Sequence, residues 1–245
     1  MSLIWPRGNL IRRSGRILRP ELLESAASTI AERNLRDIAR INRWFGGHRA
    51  LLCVLKDLVH SREPFSVLDV GAGSGDMGMC IRRRFRNATV VSLDHRSLHV
   101  RNAQGPRVVA DAFELPFLPN AFDFVLCSSV LHHLPDPQVI ELIAELRQFA
   151  RRALIVLDLE RHQLAYHFLP MTKNLFAWSA LTVHDGPVSV AAGFRPKEFA
   201  YLARAAGVNV ATVRRHRPWF RISLVVPTSA PKEAEQNWDV KSAAA

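Results

Sequence analysis

The chain has 245 residues and a formal net charge of +11, with 33 lysines and arginines against 22 aspartates and glutamates. This length suffices for one elaborated domain with a full hydrophobic core. No apolar run reaches the length of a membrane span without interruption and no secretory leader is recognisable, so we expect neither. Cys53, Cys80 and Cys127 are widely spaced and lack metal-ligand spacing, which favours a reducing, cytoplasmic location.

The basic surplus consists mostly of arginine, and it leaves the class of partner open. Such a surplus attracts RNA, an anionic membrane or an acidic substrate, and it also fits a solvated surface. Aromatic residues do not alternate with basic ones in the manner that stacks bases, so nucleic acid is unfavoured but not excluded. Residues 1–19 hold arginines and no acid, which predicts a basic N-terminal arm, with a mitochondrial presequence as the alternative. The oligomeric state does not follow from the sequence.

Residues 20–62 carry apolar side chains at three- and four-residue spacing, the pattern of amphipathic helices. One helix is predicted to end at Gly46-Gly47, and a second to run from about His48 to His60. These helices form either an N-terminal cover over a ligand or plain packing layers.

The stretch Val67-Leu-Asp69-Val-Gly71-Ala-Gly73-Ser-Gly75-Asp76 predicts a buried strand, a tight turn and the start of a helix. Glycines accept positive φ angles and let a ligand approach the backbone, while a helix start offers free N–H donors. A nucleotide-like ligand is therefore expected. Two glycine registers compete: the dinucleotide-type pattern that begins at Gly73, and a pattern that begins at Gly71. The Gly71 register fits better because it starts directly at the strand end.

Two later aspartates lie where a nucleoside-binding sheet needs them. Asp94 ends the second strand, 23 positions after Gly71, near the spacing at which a carboxylate accepts hydrogen bonds from ribose hydroxyls. Asp111-Ala112 ends the third strand, Leu115-Pro-Phe117 follows, and Phe122-Asp123-Phe-Val opens the fourth.

In order and spacing, these segments resemble class I S-adenosylmethionine (SAM) methyltransferases that act on small molecules, including the ubiquinone and menaquinone C-methyltransferases. The resemblance implies SAM as cofactor and an α/β, Rossmann-like, doubly wound sheet of seven strands whose last strand is antiparallel. It also implies that Asp111 accepts from the adenine amino group beside Ala112, and that Ser128 lies near the methionine portion. The residues expected to bind the cofactor are Asp69, Gly71, Ala72, Gly73, Gly75, Asp94, His95, Asp111, Ala112 and Ser128.

Val130-Leu-His132-His133-Leu follows the fourth strand, and similar small-molecule methyltransferases carry a like segment there. The histidines are candidates for a pocket wall near the methyl group, a local structural hydrogen bond or a metal site. A metal is disfavoured because neighbouring side chains point in different directions and no set of carboxylate ligands is evident. We therefore predict no metal.

Residues 160–194 separate the fifth strand from the next helix and are rich in apolar and aromatic side chains. Because ligands of such sheets bind at the carboxyl ends of the strands, this insertion is predicted to be a helical substrate cap, with a helix pair completing the core as the alternative. His184-Asp-Gly-Pro187 has the composition of a turn, which would hold His184 at a loop edge. His184, then His133 and His132, are the candidates for a general base that ionises a phenol.

The predicted domain covers residues 20–228, and residues 229–245 are expected to form a disordered tail. The expected activity is methyl transfer to a small hydrophobic acceptor, such as the hydroxyl of a phenolic, quinone-like or polyketide-like compound. The wider pattern also looks like a bacterial subgroup associated with polyketide or phenolic-lipid pathways. The alternatives are methylation of RNA or protein, a non-catalytic SAM-binding module, and a nicotinamide dehydrogenase.

Overall fold

A computed structural model describes residues 15–228 and 239–243 of the chain. One mixed sheet of eight strands, in the order β3-β2-β1-β4-β5-β7-β6-β8, runs through the molecule. The strands are β1 (Phe65–Val70), β2 (Ala88–Asp94), β3 (Arg107–Val109), β4 (Phe122–Ser128), β5 (Ala150–Leu159), β6 (Thr212–His216), β7 (Arg221–Pro227) and β8 (Asp239–Ala243). The helices are α1 (Ser28–Trp44), α2 (Gly47–Leu58), α3 (Asp76–Arg84), α4 (Ser97–Val100), α5 (Asp136–Leu146), α6 (Gln163–Phe176), α7 (Ala180–Ala192) and α8 (Pro196–Ala205).

The first five strands are parallel to one another, and β7 is antiparallel to both β5 and β6. Strands covered by helices on both faces must be apolar along their whole length, and β1 shows this, since Val67, Leu68 and Val70 are all buried. The predicted doubly wound α/β sheet with an antiparallel strand near its end is confirmed.

The sheet has one strand more than the seven predicted. Strand β8 pairs in parallel with β6, so the expectation of a disordered tail over residues 229–245 is wrong for residues 239–243. Without this pairing β6 would expose a row of unpaired backbone N–H and C=O groups at the sheet edge. Residues 1–14, which are most of the predicted basic arm, lie outside the described residues, as do residues 229–238.

The predicted N-terminal helices are present as α1 and α2, preceded by a 3-10 turn at Leu22–Ser25. Helix α1 is fastened to the inserted helices through the buried carboxylate of Asp37. Its Oδ2 atom accepts from the backbone N–H of Ser179 at 2.8 Å and from the hydroxyl of Thr182 at 2.9 Å. Since unpaired buried carboxylates are costly, these bonds fix the cover against the insertion.

The insertion after β5 folds into the helices α6 and α7, as predicted in outline. The local prediction at its end is wrong, because His184-Asp185-Gly186-Pro187 lies in the middle of α7 and forms no turn. A Cβ atom at Gly186 would lie 2.2 Å from Cδ1 of Leu169 on α6, so this glycine permits two helices to pack closely. Within residues 15–228 and 239–243, every helix is too short or too polar to cross a bilayer.

Candidate active site

A cavity of about 600 Å³ lies at the carboxyl ends of the parallel strands, enclosed by the sheet, α1, α6 and α7. Ligands of open α/β sheets bind at this edge. The predicted site residues that line it are Asp69, Gly71, Ala72, Gly73, Asp94, His95, Asp111, Ala112, Ser128, His132 and His133. Among the described residues, Gly75 and His184 are the predicted site residues that fall outside this lining.

The glycine turn between β1 and α3 has the expected backbone. Gly71, Gly73 and Gly75 all have positive φ angles, of 69°, 53° and 73°. A Cβ atom at Gly71 would lie 2.2 Å from Cγ2 of Val130, and one at Gly75 would lie 2.6 Å from Cβ of Ala103. Gly75 therefore shapes the turn from outside the cavity, whereas Gly71 and Gly73 line the cavity.

Asp94, at the end of β2, is held as an ionised acceptor. Its Oδ2 accepts from the N–H of Gly73 at 3.0 Å, and its Oδ1 accepts from the N–H of Arg96 and lies 3.1 Å from Nδ1 of His99. Burial raises the pKa of Asp94, but His99 and the two backbone N–H groups outweigh it and hold the pKa below its usual range. His95, also predicted, lies with Nδ1 3.2 Å from the same carboxylate and is mostly exposed.

Asp111 and Ala112 follow β3 and line the cavity. The Oδ1 atom of Asp111 accepts from the N–H of Phe113 at 2.9 Å, which forms a local turn and leaves the side chain exposed. Ser128 is buried at the end of β4, the strand next to β1. These positions extend the lining from the glycine turn across the sheet edge.

Two carboxylates lie beneath the glycine turn. Asp69 is completely buried, and burial together with the nearby Asp76 raises its pKa to about 8, so its carboxyl is protonated at neutral pH. Asp76 begins α3 and accepts from Nδ2 of Asn42 at 3.2 Å. Asp76 also lies 2.9 Å from Nε2 of His48. Burial lowers the pKa of His48, but the contact with Asp76 and the neighbouring Cys80 outweigh burial and raise this pKa to about 9. This link between the cover and the turn was not predicted from the sequence.

His132 is a buried imidazolium held between two carboxylates. Its Nδ1 lies 2.7 Å from Oδ1 of Asp158 at the end of β5, and its Nε2 lies 3.7 Å from Oε1 of Glu21. Burial lowers the pKa of His132, but Asp158 and Glu21 outweigh it and raise the pKa to about 9. The hydroxyl of Ser189 also donates to Glu21.

His133 differs from its neighbour because it is neutral. Its ring lies 4.2 Å from that of His132, measured between centroids, and its Nδ1 lies 3.8 Å from Oε1 of Glu21. Burial and the positive charge of His132 lower the pKa of His133 to about 4. Its side chain is 31 % exposed and lines the cavity, so a neutral imidazole faces the ligand space.

The expectation that these two histidines point in different directions is wrong. A 3-10 turn at Leu131–His133 places the rings side by side, and donor atoms of Glu21, His132 and His133 lie within 4.8 Å of one another. Such donors fit a divalent cation, and a carboxylate behind a histidine is common at metal sites. Here the positive charge of His132 offsets one of the two negative charges of Glu21 and Asp158, and an imidazolium, with both ring nitrogens protonated, has no free lone pair for a metal.

His184, the first candidate for the base, lies on α7 and outside the cavity lining. Its Nδ1 is 2.8 Å from Oδ1 of Asp185. Asp185 itself accepts from the backbone N–H groups of Leu22 and Leu23, both at 3.1 Å. This pair therefore fastens the N-terminal segment to α7.

Glu21 was not among the site residues predicted from the sequence. It lies at the start of the stretch predicted to be helical, and no motif connects it to the histidines more than a hundred positions later. Asp158 had a weak signal, since it is an acid at the end of a parallel strand, where polar side chains face the ligand.

Comparison with known proteins agrees with this geometry. The sequence profile of a family described as a methyltransferase domain matches residues 68–156. A ubiquinone biosynthesis O-methyltransferase of Xylella fastidiosa is 29% identical over 72% of this chain and 78% of that protein. A demethylmenaquinone methyltransferase of Thermotoga maritima is 26% identical over 42% of this chain and 47% of that protein. The structure of human N-acetylserotonin methyltransferase in complex with SAM superposes with a TM-score of 0.58 at 15% identity, over 81% of this chain and 56% of that one.

Proposed function

We propose that this chain, which is a class I SAM-dependent methyltransferase, methylates a hydroxyl group of a small apolar acceptor of the phenolic or quinone-like kind. The observation that carries the proposal is the neutral imidazole of His133, which faces a largely apolar cavity beside the charged group of Glu21, His132 and Asp158.

The part of the cavity away from the glycine turn supports an apolar acceptor. Its walls are side chains of α1, α6 and the connection between β6 and β7: Ile38, Ile41, Phe45, Leu164, Phe168, Leu169, Trp219 and Phe220. Cavities with mostly apolar walls and a few polar groups take small organic ligands. The names of the Xylella and Thermotoga relatives point to quinone precursors for those proteins, which agrees with this acceptor class.

Methyl transfer from SAM is an in-line displacement in which the acceptor oxygen attacks the methyl carbon and the sulfonium leaves as a thioether. The protein forms no covalent intermediate, so alignment of the reacting atoms supplies much of the rate, up to roughly 7–11 kcal/mol. The glycine turn, Asp94 and Asp111 would align the cofactor, and the apolar walls would align the acceptor.

The low pKa of His133 decides when the proton moves. A base with a pKa of about 4 cannot ionise a phenol beforehand, because a gap of roughly six units to a phenol pKa near 10 costs about 8 kcal/mol. As the new C–O bond forms, however, the acceptor oxygen becomes positively charged and its O–H far more acidic. His133 would accept the proton at that stage, while Glu21 and Asp158 hold the adjacent His132 in place.

The test is methyl transfer from radiolabelled SAM to a panel of catechols, hydroquinones and polyketide-like phenols, followed by mass analysis of the product. We expect a product that is heavier by one methylene unit and carries the new methyl group on a hydroxyl oxygen. His133→Ala should abolish most of the turnover while calorimetry shows unchanged SAM binding. Transfer to RNA or protein with none to any hydroxyl-bearing small molecule would refute the proposal.

A further inference from the structure

We propose that the outer face of α6, together with the adjoining end of α1, docks on an anionic lipid bilayer. This docking surface consists of an apolar stripe on α6 and a row of arginines on α1. Neither element serves the cofactor or the proton transfer described above.

The apolar stripe is formed by Leu164, Met171 and Leu175, which are 67%, 82% and 79% exposed. They are seven and four positions apart, so at about 100° per residue they fall within roughly 40° on one side of the helix. Three large apolar side chains in line on a solvent-facing helix point to a partner, since singly scattered ones are ordinary.

The arginine row lies on α1. Arg33, Arg36, Arg40 and Arg43 follow one another at spacings of three, four and three residues, which places them on one side of the helix. Helix α6 also suits an anionic surface, because it contains no acidic residue that would repel one. Arg40 is paired with the buried carboxylate of Asp37 at 3.0 Å, so Arg33, Arg36 and Arg43 supply most of the net positive charge of this cationic strip.

Contacts of Arg40 join the two elements. Its guanidinium donates to the backbone carbonyl of Phe176, the last residue of α6, at 2.9 Å. The same guanidinium lies over the ring of Trp44 at 5.0 Å, and that ring is 46% exposed. The cationic strip thus adjoins the Leu175 end of the stripe, and the ring of Trp44 lies 6.3 Å from that of Phe176 at this end.

This composition favours a bilayer over a second copy of the chain. Helices that lie in a membrane interface combine an apolar side with arginines and an interfacial tryptophan, and each basic residue near an anionic leaflet contributes attraction. A symmetric dimer would place the same patch against itself and bring two arginine rows together. The net charge of +11 adds attraction toward an anionic surface.

The docking surface also borders the cavity. Leu164 belongs to the exposed stripe and to the cavity lining, and Phe168, one turn along the same side of α6, lines the cavity as well. Docking would therefore turn this edge of the cavity, at Leu164 and Phe168, toward the lipid, where apolar compounds concentrate. Binding to lipid does not depend on which acceptor is methylated, so it can be tested separately.

The experiment is co-sedimentation of the full chain with vesicles of phosphatidylcholine, with and without phosphatidylglycerol. We expect binding to vesicles that contain phosphatidylglycerol, weakened by salt. The double variant Met171→Glu/Leu175→Glu should bind at least tenfold more weakly. The matched control is Tyr201→Glu/Leu118→Glu, which alters two side chains exposed to 69% and 80% elsewhere and should bind like the wild type.

Three results would overturn the proposal. The first is the absence of vesicle binding by the wild type. The second is a wild-type dimer that Met171→Glu/Leu175→Glu dissociates, with equal vesicle binding by both, which would make the face a protein interface. The third is equal loss of vesicle binding in both double variants. Because Met171 and Leu175 lie outside the cavity lining, unchanged methylation of a water-soluble acceptor by their variant would show that the fold is intact.

Discussion

The Nδ1 atom of His132 lies 2.7 Å from Oδ1 of Asp158, and both side chains are almost completely buried. A buried carboxylate stabilises the charged form of a histidine more than water would. Asp158, together with Glu21, therefore keeps His132 protonated beside the neutral His133.

Replacing Asp158 by asparagine should lower the pKa of His132. We expect Asp158→Asn to reduce turnover by about tenfold to a hundredfold, since hydrogen bonds to charged groups contribute about 1.5–3 kcal/mol. The alkaline limb of the pH profile of kcat, set by the pKa of His132 at about 9, should move to lower pH. Asp57→Asn, at an exposed aspartate paired with Arg214, is the control and should leave that limb in place. An unshifted limb in Asp158→Asn would contradict this role.

Of the three histidines proposed as bases from the sequence, His133 and His184 should behave differently. His133→Ala should lower kcat by about 10²–10⁴-fold, the usual contribution of a general base. His184→Ala should turn over near the wild-type rate, because this side chain lies outside the cavity lining. Steady-state kinetics with a methylated phenol as product would decide, and a larger loss in His184→Ala than in His133→Ala would reverse the assignment.

Asp94 should determine the affinity for SAM. Asp94→Asn removes a charged acceptor that we expect to bind ribose hydroxyls, so the Kd for SAM should rise about tenfold to a hundredfold. Titration calorimetry measures this directly. Glu141→Gln, at an exposed position of α5, should leave the Kd unchanged. Equal affinity in Asp94→Asn and wild type would show that this carboxylate does not contact the cofactor.

Within the glycine turn, Gly75 and Gly73 make a matched pair. Both have positive φ, but a Cβ atom at Gly75 would lie 2.6 Å from Cβ and 2.9 Å from Cα of Ala103, whereas at Gly73 the nearest atom is 3.6 Å away. We expect Gly75→Ala to lower the free energy of unfolding by about 1–3 kcal/mol more than Gly73→Ala, the usual cost of overpacking. Urea denaturation of the two variants measures the difference, and equal values would contradict the clash.

Stability should be greatest near pH 6.5. The pKa values of His48 and His132 are raised to about 9, so the folded chain binds more protons than the unfolded one above pH 6.5 and loses stability as the pH rises through 9. Burial lowers the pKa values of His133 and of His216, at the end of β6, to about 4, so their protonation favours unfolding as the pH falls from 6.5 to 4. Urea denaturation across this range should show a maximum, and His48→Gln should flatten its alkaline side.

Local patterns explain which parts of the site could be predicted from the sequence. Asp94 and Asp111 follow short strands at a fixed distance from the glycine turn, so spacing along the chain places them at one sheet edge. Glu21 reaches the site only because α7 anchors the segment that carries it, and such a contact between distant parts of the chain leaves no local pattern. The composition of His184-Asp-Gly-Pro187 predicted a turn, but Gly186 lies in a helix, where the absence of a side chain allows close contact with Leu169.

The bonds from Leu22 and Leu23 to Asp185 have a consequence for how ligands enter and leave. They hold the segment that bears Glu21 against α7, so the group of Glu21, His132 and Asp158 is complete only while that segment is docked. The segment is also fastened through Arg16, whose guanidinium donates to the carbonyl of Ala192 at 2.8 Å, and through Ile17, whose N–H donates to the carbonyl of Ala191 at 3.1 Å, so its release would have to break several bonds together. Release of this segment would open the cavity and at the same time remove Glu21 from His132. The protein could then not exchange ligands while the group of Glu21, His132 and Asp158 is complete.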